Sequence, residues 1–587
     1  MEAVTPRHRF RAPLLILVAA ALATAPVALH GSCCGDDFQF HLVSWLDAQQ
    51  SWRHGIPYPH WTPSPNYGAG EPRFVFYPPL TWMLGAALGF VLPWAWVPVA
   101  MIFVLLSATG LATFALARRM IDEAPATLAA VATVFSVYVL FTAYERAAFA
   151  ELAGGFWIPL LLLFALRERT PSRGALDRSA LLLALVIAGS WLSNAPVGVM
   201  ASYLLAAVAV ASAVMARSWL PIVRASIACG LGMALAAIYL VPATYEQRWV
   251  DIAEATGASG EPGLRIENNW LFGSSTNPAL KLHNAELRSV SQWITAMIAV
   301  ALVSAIVVWM RRRTSLRRPE WIILACIPIA VLFLQLPVSL PVWNLLPKLR
   351  FLQFPWRWLL VLEAPMGILL VAAIWPRDSA RNGQRFVSLV LGCTILLGPL
   401  LFAKKYFFRI CDPDANLPKL LAAHRSGAGF WGAYEYAPLG ADNSFVATGL
   451  PDACLTSDPY RRLGVVDTSD HNPEWSAAQG SCDAVASADL RTPEHLHIAT
   501  VNSNSGFAIL RLRTFPAWRI DVNGQEATHL PQRNDGLMVV PIPQGAVAIT
   551  TDWTTTSDVI VGRTITLIAV LLLGLLWHRE SKSRYHA

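Results

Sequence analysis

Charge is what this chain has least of. Asp, Glu, Lys and Arg make up 14% of its 587 residues, against roughly 25% in an average soluble domain, while 55% are apolar; a soluble protein is excluded. Nucleotide chemistry has no motif either. The chain holds no Walker loop, no GxGxxG after a strand and no GxSxG, so neither a nucleotide-driven pump nor a serine hydrolase is supported. Cysteine is sparse, with eight residues and no CxxC or zinc-like spacing.

What fills the chain instead is a series of apolar runs of about 20 residues, the length that crosses a hydrocarbon core. Spanning helices are predicted near 13–30, 94–117, 126–143, 153–166, 180–193, 197–215, 220–243, 290–310, 321–337, 358–375, 386–402 and 560–577. The fold class expected is mainly α, a polytopic membrane protein of about twelve transmembrane helices. With Arg7, Arg9 and Arg11 placed inside, the basic clusters at Arg118/Arg119, 167–178, Arg217, 311–318, 377–385 and Arg579/Lys582/Arg584 all become cytoplasmic, as basic loops do. The formal net charge of +7 then belongs to loops beside membrane lipids, and nucleic acid is not expected as a partner. A span at Leu80–Leu92 would export every Arg cluster, so that segment reads as a juxtamembrane or re-entrant helix on the outer face. The start imitates a cleavable signal, with Ala23-Thr24-Ala25 after the apolar run; it is read as a retained helix because the loop behind it works best tethered. Both termini are thus expected in the cytoplasm of a bacterium, with the protein multi-pass in the inner membrane.

Three outer segments are large: 31–93, 244–289 and 403–559. The expected division is a transmembrane module over 1–402, a periplasmic β-rich domain over 403–559, and a last helix with its tail over 560–587. The second half of the β-rich segment alternates in strand fashion at Phe507–Leu512, Trp518–Val522, Leu537–Ile542 and Ala546–Thr551, with Asn523-Gly524 as a hairpin turn; such a turn needs positive φ at both positions. A small β-sandwich is expected there. Cys229, Cys326 and Cys393 read as core residues. Of the outward Cys33, Cys34, Cys411, Cys454 and Cys482, a Cys454–Cys482 bridge is expected, though spacing alone does not fix pairing.

The first outer loop carries the strongest chemical signal. In Gly35-Asp36-Asp37-Phe38-Gln39-Phe40-His41-Leu42-Val43-Ser44-Trp45-Leu46, Phe38, Leu42, Trp45 and Trp52 form a stripe that predicts a helix lying on the membrane surface. Asp36 and Asp37 stand at its N-terminus, where the dipole favours a carboxylate, and His41 is one turn on from Asp37. An Asp there is often only a helix cap; two acids and a His together bring a functional role level with that alternative. Asp36, Asp37 and His41 offer oxygen and nitrogen ligands for Mg²⁺ or Mn²⁺, yet three residues within five positions rarely complete a shell, and no metal is assigned. Beyond them, the stretches around His60-Trp61 and Glu71-Pro72-Arg73-Phe74-Val75-Phe76-Tyr77 are dense in Gly, Pro and aromatics. They make a rigid loop with stacking faces suited to sugar or lipid, although single aromatics populate any membrane interface.

These residues resemble a family. Asp37-x3-His41, Gly55-x-Pro57-Tyr58-Pro59-x-Trp61 and Tyr67-Gly68-x-Gly70-x-Pro72-x-Phe74-x-Phe76-Tyr77-x-Pro79-Leu80 are similar to bacterial polytopic proteins of the glycosyltransferase-C (GT-C) superfamily. Within it the likeness is to YfhO-type proteins and to the group labelled 6-pyruvoyl-tetrahydropterin synthase-related. Gly432-Ala433-Tyr434-Glu435-Tyr436-Ala437-Pro438, Phe515-Pro516-Ala517-Trp518-x3-Val522-Asn523-Gly524 and Gly562-x2-Ile565 resemble the same proteins. The resemblance implies a sugar transferase with a polyprenyl-phosphate donor, a glycan, lipid or protein acceptor, and chemistry on the outer face; Asp37 matches the family's acidic position, whereas Asp36 stands where relatives often have His.

Such a transfer needs a carboxylate to take the acceptor's proton, a cation to hold the departing phosphate and a wall against water. The base is expected to be Asp37, assisted by Asp36. The phosphate is assigned to Lys348, Arg350 and Arg357, which lie together on an outer turn where positive charge is least expected; a basic anchor on anionic lipid heads is an equal alternative. His41, His60, Trp61, Glu71, Arg73 and Tyr77 are expected to line the substrate site. Arg146 and Glu151 join them, since ionisable groups beside a bilayer are costly unless they line a polar cavity. Asn194, Glu246 and Arg248 are weaker candidates, and His495 and His497 read as surface residues of one strand face. Two other classes compete: a lipid or polysaccharide transporter or flippase, disfavoured by helix midsections nearly free of ionisable residues and by the lack of a six-plus-six repeat, and a non-catalytic envelope assembly protein.

Overall fold

In the computed structural model the described residues are 11–585 apart from 32–34, 167–175, 258–261, 274, 312–318, 377–381, 409–415, 461–482, 486–487 and 505. A helix occupies each range where a span was predicted. Among the described residues, seven stretches are long and apolar enough to cross a membrane: Arg11–His30, Trp94–Ala117, Glu123–Tyr144, Ala195–Ala216, Pro278–Arg311, Pro355–Ile374 and Ser557–Lys582. Two further pairs qualify only if a bent helix counts as one crossing, Leu220–Leu235 with Ala237–Trp249 at 75° and Pro319–Leu334 with Pro337–Leu345 at 95°. Among the described residues, length and composition support seven crossings, or nine with the bent pairs, and the helix Asn382–Tyr406 covers a further predicted span. Phe149–Ala165 and Arg178–Ser193 are helical but shorter, too short to span without help from neighbours.

Outward faces identify the lipid boundary. Leu14, Leu15, Val18 and Leu22 on the first helix and Leu567, Ile568, Leu571 and Leu575 on the last are exposed, a pattern a soluble protein avoids. Inward, small residues let helices approach closely. A Cβ on Gly154 would fall 2.4 Å from Leu360 Cδ2, and one on Gly367 2.5 Å from Thr133 Oγ1.

The bent pair at 220–249 has a visible cause. The helix breaks at Ala236, so the amide of Ile238 loses its intrahelical acceptor and donates to Thr566 Oγ1 of the last helix at 2.8 Å. Gly562 permits that approach, since a Cβ there would sit 2.6 Å from the Ala237 carbonyl oxygen. The Gly562-x2-Ile565 motif thus props open an elbow.

Strands occur between 453 and 553: β1 Ala453–Thr456, β2 Asp483–Val485, β3 Leu490–Thr492, β4 His495–Asn502, β5 Gly506–Arg513, β6 Trp518–Val522, β7 Gln525–Glu526, β8 Leu537–Ile542 and β9 Gly545–Trp553. They form two antiparallel sheets, β2-β1-β5-β8 and β3-β4-β9-β6-β7. Alternate residues from both sheets share one apolar cluster, including Leu455, Leu510 and Met538 from the first and Ile498, Ile520 and Ile549 from the second. Asn523 and Gly524 have φ of +51° and +80° and join β6 to β7, as the turn chemistry requires. Cys454 is disulfide-bonded; Cys33, Cys34, Cys411 and its expected partner Cys482 lie outside the described residues.

The helix Phe38–Arg53 does not lie on a surface. Phe38, Leu42 and Trp45 are all buried, packed against the helix Pro79–Val91, where Gly85 faces the Trp45 ring. An amphipathic stripe alone does not distinguish a lipid partner from a protein one; here the partner is protein.

Candidate active site

A cavity of about 1100 Å³ gathers the Asp37 turn, the 146–151 turn, the elbow at Ala236 and the segment 348–357. Its floor is a charge cluster built around Arg146. Arg146 Nη1 lies 2.6 Å from Glu151 Oε2 and Nη2 lies 3.7 Å from Asp37 Oδ2, with the guanidinium 5.0 Å from the Trp356 ring centroid. Arg357 Nε stands 3.4 Å from the same Glu151 oxygen, and Arg357 Nη1 donates to the Leu352 carbonyl at 3.0 Å. Glu151 also accepts the Tyr138 hydroxyl. One buried carboxylate therefore holds two guanidiniums and a phenol, contacts that favour its ionised form and disfavour its taking a proton.

Asp37 is arranged differently. Its side chain is 44% open, into the cavity, and has a single long ion pair. It occupies the N-cap position of Phe38–Arg53 yet makes no capping hydrogen bond, so the helix-cap alternative fails. Burial by the surrounding protein pushes its pKa above the usual carboxylate value; Arg146 and Arg357 oppose this and Glu151 adds to it. A raised pKa on an accessible carboxylate is the condition for a general base.

The sequence places Asp37 through Gly35. A Cβ there would lie 2.4 Å from the Glu145 carbonyl oxygen and 2.6 Å from the Arg146 carbonyl carbon, so only glycine lets the two chains touch. The Asp37 amide then donates to the Arg146 carbonyl at 3.0 Å. Beside it, Ala147 takes φ +48°, backbone strain of the kind that collects at functional sites.

Of the other predicted residues, His41, Tyr77, Lys348 and Asn194 also line the cavity. His41 is buried, its Nδ1 has no hydrogen-bond partner, and burial, with Arg73 and Arg146 nearby, lowers its pKa to about 3; it is neutral. Lys348 reaches Gln247 Oε1 at 2.9 Å. Asn194 also caps the helix Ala195–Ala216 by accepting from Val197. Arg350 is not among the lining residues and pairs with Glu267. Asp36 is exposed and outside the cavity lining. Glu246 is buried beside Thr556, and Arg248 rests on the Tyr245 ring at 3.8 Å. His495 meets Asp552 and His497 meets Thr550 across β4 and β9.

Four substrate candidates are buried against protein and lie outside the cavity lining. Trp61 is buried among Trp518, Trp553 and Phe515 of the β region, with centroids 5.3, 5.6 and 6.3 Å away, and His60 stacks on Trp553 while its amide donates to Glu494. Glu71 and Arg73 form a buried pair at 2.7 Å. Arg73 donates to the Phe40 carbonyl and to Ser44 Oγ and lies 3.9 Å over the Phe40 ring, fixing the helix that starts at Asp37. Glu71 also accepts the Ala433 amide at 2.9 Å. The loop's aromatic density reflects docking of two protein parts, a use that composition does not separate from ligand stacking.

Two acids went unread in the sequence. Glu435 lines the cavity, and burial pushes its carboxyl up to about 7, with Glu71 adding and Arg73 opposing; the motif Gly432–Pro438 was visible but gave no reason to pick its acid. Glu363 lies in the middle of the span Pro355–Ile374, buried, with Ser136 Oγ donating to it at 3.2 Å, one exception in helix midsections read as nearly free of ionisable residues. As for a metal, Asp36, Asp37 and His41 do not converge, and among the described residues no three His, Cys, Asp or Glu stand together as a ligand group. The residues named for Mg²⁺ or Mn²⁺ do not fit one.

Among solved structures, the chain is similar to the apo oligosaccharyltransferase of Archaeoglobus fulgidus, with 13% identity and a TM-score of 0.44, covering 74% of this chain and 62% of that one. It is also similar to ArnT from Cupriavidus metallidurans bound to undecaprenyl phosphate, with 13% identity and a TM-score of 0.37, covering 67% and 64% respectively. The chain thus spans less than two thirds of either protein's length. No curated protein matches its sequence. Residues 74–407, more than half of the chain, match the family described as the 6-pyruvoyl-tetrahydropterin synthase related domain, a membrane protein family, and the chain belongs to that family.

Proposed function

We propose that this chain is a membrane glycosyltransferase that moves a sugar from a polyprenyl-phosphate donor to an acceptor on the outer face of the bacterial inner membrane, with Asp37 as base. The observation that carries the reading is the sharing of one cavity by an open carboxylate, Asp37, and two guanidiniums, Arg146 and Arg357. In the reaction the acceptor hydroxyl oxygen bonds to the anomeric carbon, the bond from that carbon to the phosphate oxygen breaks, and the hydroxyl proton passes to Asp37. The departing polyprenyl phosphate gains negative charge as it leaves, which guanidiniums stabilise. Arg357 lines the cavity while its Nε keeps an ion-pair contact of 3.4 Å with Glu151, and Lys348 borders the same space.

A lipid-borne donor accounts for the rest of the lining. Met233, Ala234, Leu240, Val241 and Ile565 give the cavity an apolar wall at the elbow, and Met233 and Ile565 are exposed there. A prenyl chain reaches such a wall from the bilayer without crossing water. Donors outside the cytoplasm must be tethered to lipid, which fits a transferase without a nucleotide-binding motif.

The test uses full-length protein in lipid nanodiscs with a synthetic polyprenyl-phosphate hexose. Arg357→Ala weakens donor binding about 10- to 100-fold, the worth of hydrogen bonds to a charged group, while Asp37→Asn binds donor and does not transfer. Normal envelope glycans in cells carrying only Asp37→Asn discard the base assignment.

A further inference from the structure

We propose that Glu435 is the acceptor-binding carboxylate and that the acceptor offers a neutral, polyhydroxylated group, a carbohydrate or polyol, to a subsite formed by Glu435, Tyr436, Phe76, Tyr77 and Phe40. This rests on the transferase reading above and specifies the half of the reaction that reading leaves open.

Glu435 reaches the cavity on a strap that is fastened on both sides. At its start the Ala433 amide donates to Glu71 Oε2 at 2.9 Å. At its end the Asp251 amide donates to the Ala437 carbonyl and the Leu439 amide to the Trp249 carbonyl, at 3.0 and 3.1 Å. In between, Tyr436 stacks on Phe76 with centroids 5.5 Å apart and planes at 18°. The strap belongs to the segment that leads into the β region, and all three anchors are on the membrane module. A one-turn element held this firmly presents its side chain at a fixed place, as a binding group requires.

The position relative to Asp37 fits an acceptor. Glu435 and Asp37 line one cavity together with Arg146 and Arg357, and Arg146 Nη2 lies 3.7 Å from Asp37 Oδ2. A base must reach the acceptor hydroxyl while the phosphate is held by the cations, and one shared cavity lets Asp37 do so for an acceptor held at Glu435. Arg73 is occupied by Glu71, the Phe40 carbonyl and Ser44, so it offers no spare charge to an anionic acceptor. What this side does offer is a carboxyl able to accept from hydroxyl groups, beside the rings of Phe40, Phe76, Tyr77 and Tyr436. Carboxyl oxygens take hydroxyls, and ring faces take the apolar C–H faces of a sugar or polyol.

The experiment measures partition between two fates of a synthetic polyprenyl-phosphate [¹⁴C]hexose on full-length protein in nanodiscs: hydrolysis by water, and transfer to glycerol, methyl glycosides or a serine-containing peptide. In the wild type, transfer to the polyols and glycosides dominates. Glu435→Gln raises the acceptor KM at least tenfold while polyprenyl-phosphate binding and donor hydrolysis stay within twofold of the wild type; Glu435→Asp, which keeps the charge and the fold, falls between. Wild-type protein that does not bind polyprenyl phosphate overturns the transferase reading and this assignment with it. Bound donor with an acceptor KM unmoved in both variants overturns the Glu435 assignment alone, and transfer only to the peptide, or hydrolysis with no transfer to any polyol, overturns the acceptor class.

Discussion

Glu151 and Asp37 both face Arg146, and replacing each by its amide should have opposite consequences. Glu151 is 3% exposed at its side chain, 2.6 Å from Arg146 Nη1 and 3.4 Å from Arg357 Nε, and it accepts from Tyr138. Glu151→Gln keeps the size and one acceptor oxygen but removes the only charge that both buried guanidiniums contact closely. Leaving one partner of a buried ion pair uncompensated costs about 3–5 kcal/mol, a large share of the 5–15 kcal/mol that holds a typical fold. Asp37 is 44% open and 3.7 Å from Arg146, so Asp37→Asn removes an interaction closer to the exposed-pair range, about 0–1 kcal/mol, and its burial already disfavours the charged form. The assay is thermal unfolding of the full-length protein in nanodiscs followed by intrinsic fluorescence, to which 23 tryptophans contribute. The expected result is a marked fall in Tm for Glu151→Gln and an unchanged Tm with abolished transfer for Asp37→Asn. Equal stability of Glu151→Gln and wild type, or equal damage from both variants, would refute the division between a structural acid and a chemical one.

Three further outcomes follow from the same geometry. Gly35→Ala drives a Cβ into the 145–147 backbone, costing about 1–3 kcal/mol of overpacking and, by displacing Asp37, about 100-fold in kcat; Gly230→Ala, which meets open space, is the control and should leave kcat unchanged. Transfer should fail with falling pH earlier than for an ordinary aspartate, because Asp37 accepts a proton only as a carboxylate and its pKa is raised. Over that window the folded chain binds more protons than the unfolded one, so stability moves the other way and declines as pH rises; a pH–rate profile showing loss only near the usual value of 3.8 contradicts the burial argument. Trp61→Ala empties a site packed by three aromatic rings and should cost about 3–5 kcal/mol while donor affinity holds; a loss of donor binding matching that of Arg357→Ala would return Trp61 to the substrate site.

Much of the helical framework was legible because hydrophobic runs of bilayer length leave few alternatives, and Asn523-Gly524 because its turn needs two positive φ values. The crossing count was less so. Helix length is written in the sequence, but a break such as Ala236, stabilised by Thr566 from 330 residues downstream, is a tertiary fact with no local signature. The site divided the same way. Asp37, Arg146, Glu151 and Arg357 were singled out because charge at a membrane surface demands a reason, and the structure brings them together. His60, Trp61, Glu71 and Arg73 carried the same signal for a different cause, since residues that dock two parts of a chain are as aromatic and as charged as residues that hold a ligand. Glu435 was missed because its cavity is assembled from segments hundreds of residues apart.

The buried Glu363 bears on the transporter alternative. A carrier needs a polar route that continues to the far side and helices able to part along it. Glu363 accepts from Ser136 Oγ at 3.2 Å, and one turn further along its helix Gly367 is pressed against Thr133, where even a methyl group would come within 2.5 Å of Thr133 Oγ1 and 2.9 Å of the Ala129 carbonyl oxygen. Close contact between glycine and backbone is how membrane helices bind most tightly, so this is the place where a pathway across the bundle would have to tear its strongest packing. A cavity lined by charged groups and an apolar wall, together with helices this closely packed around Glu363, suits chemistry on a bound substrate better than a path that requires those helices to part.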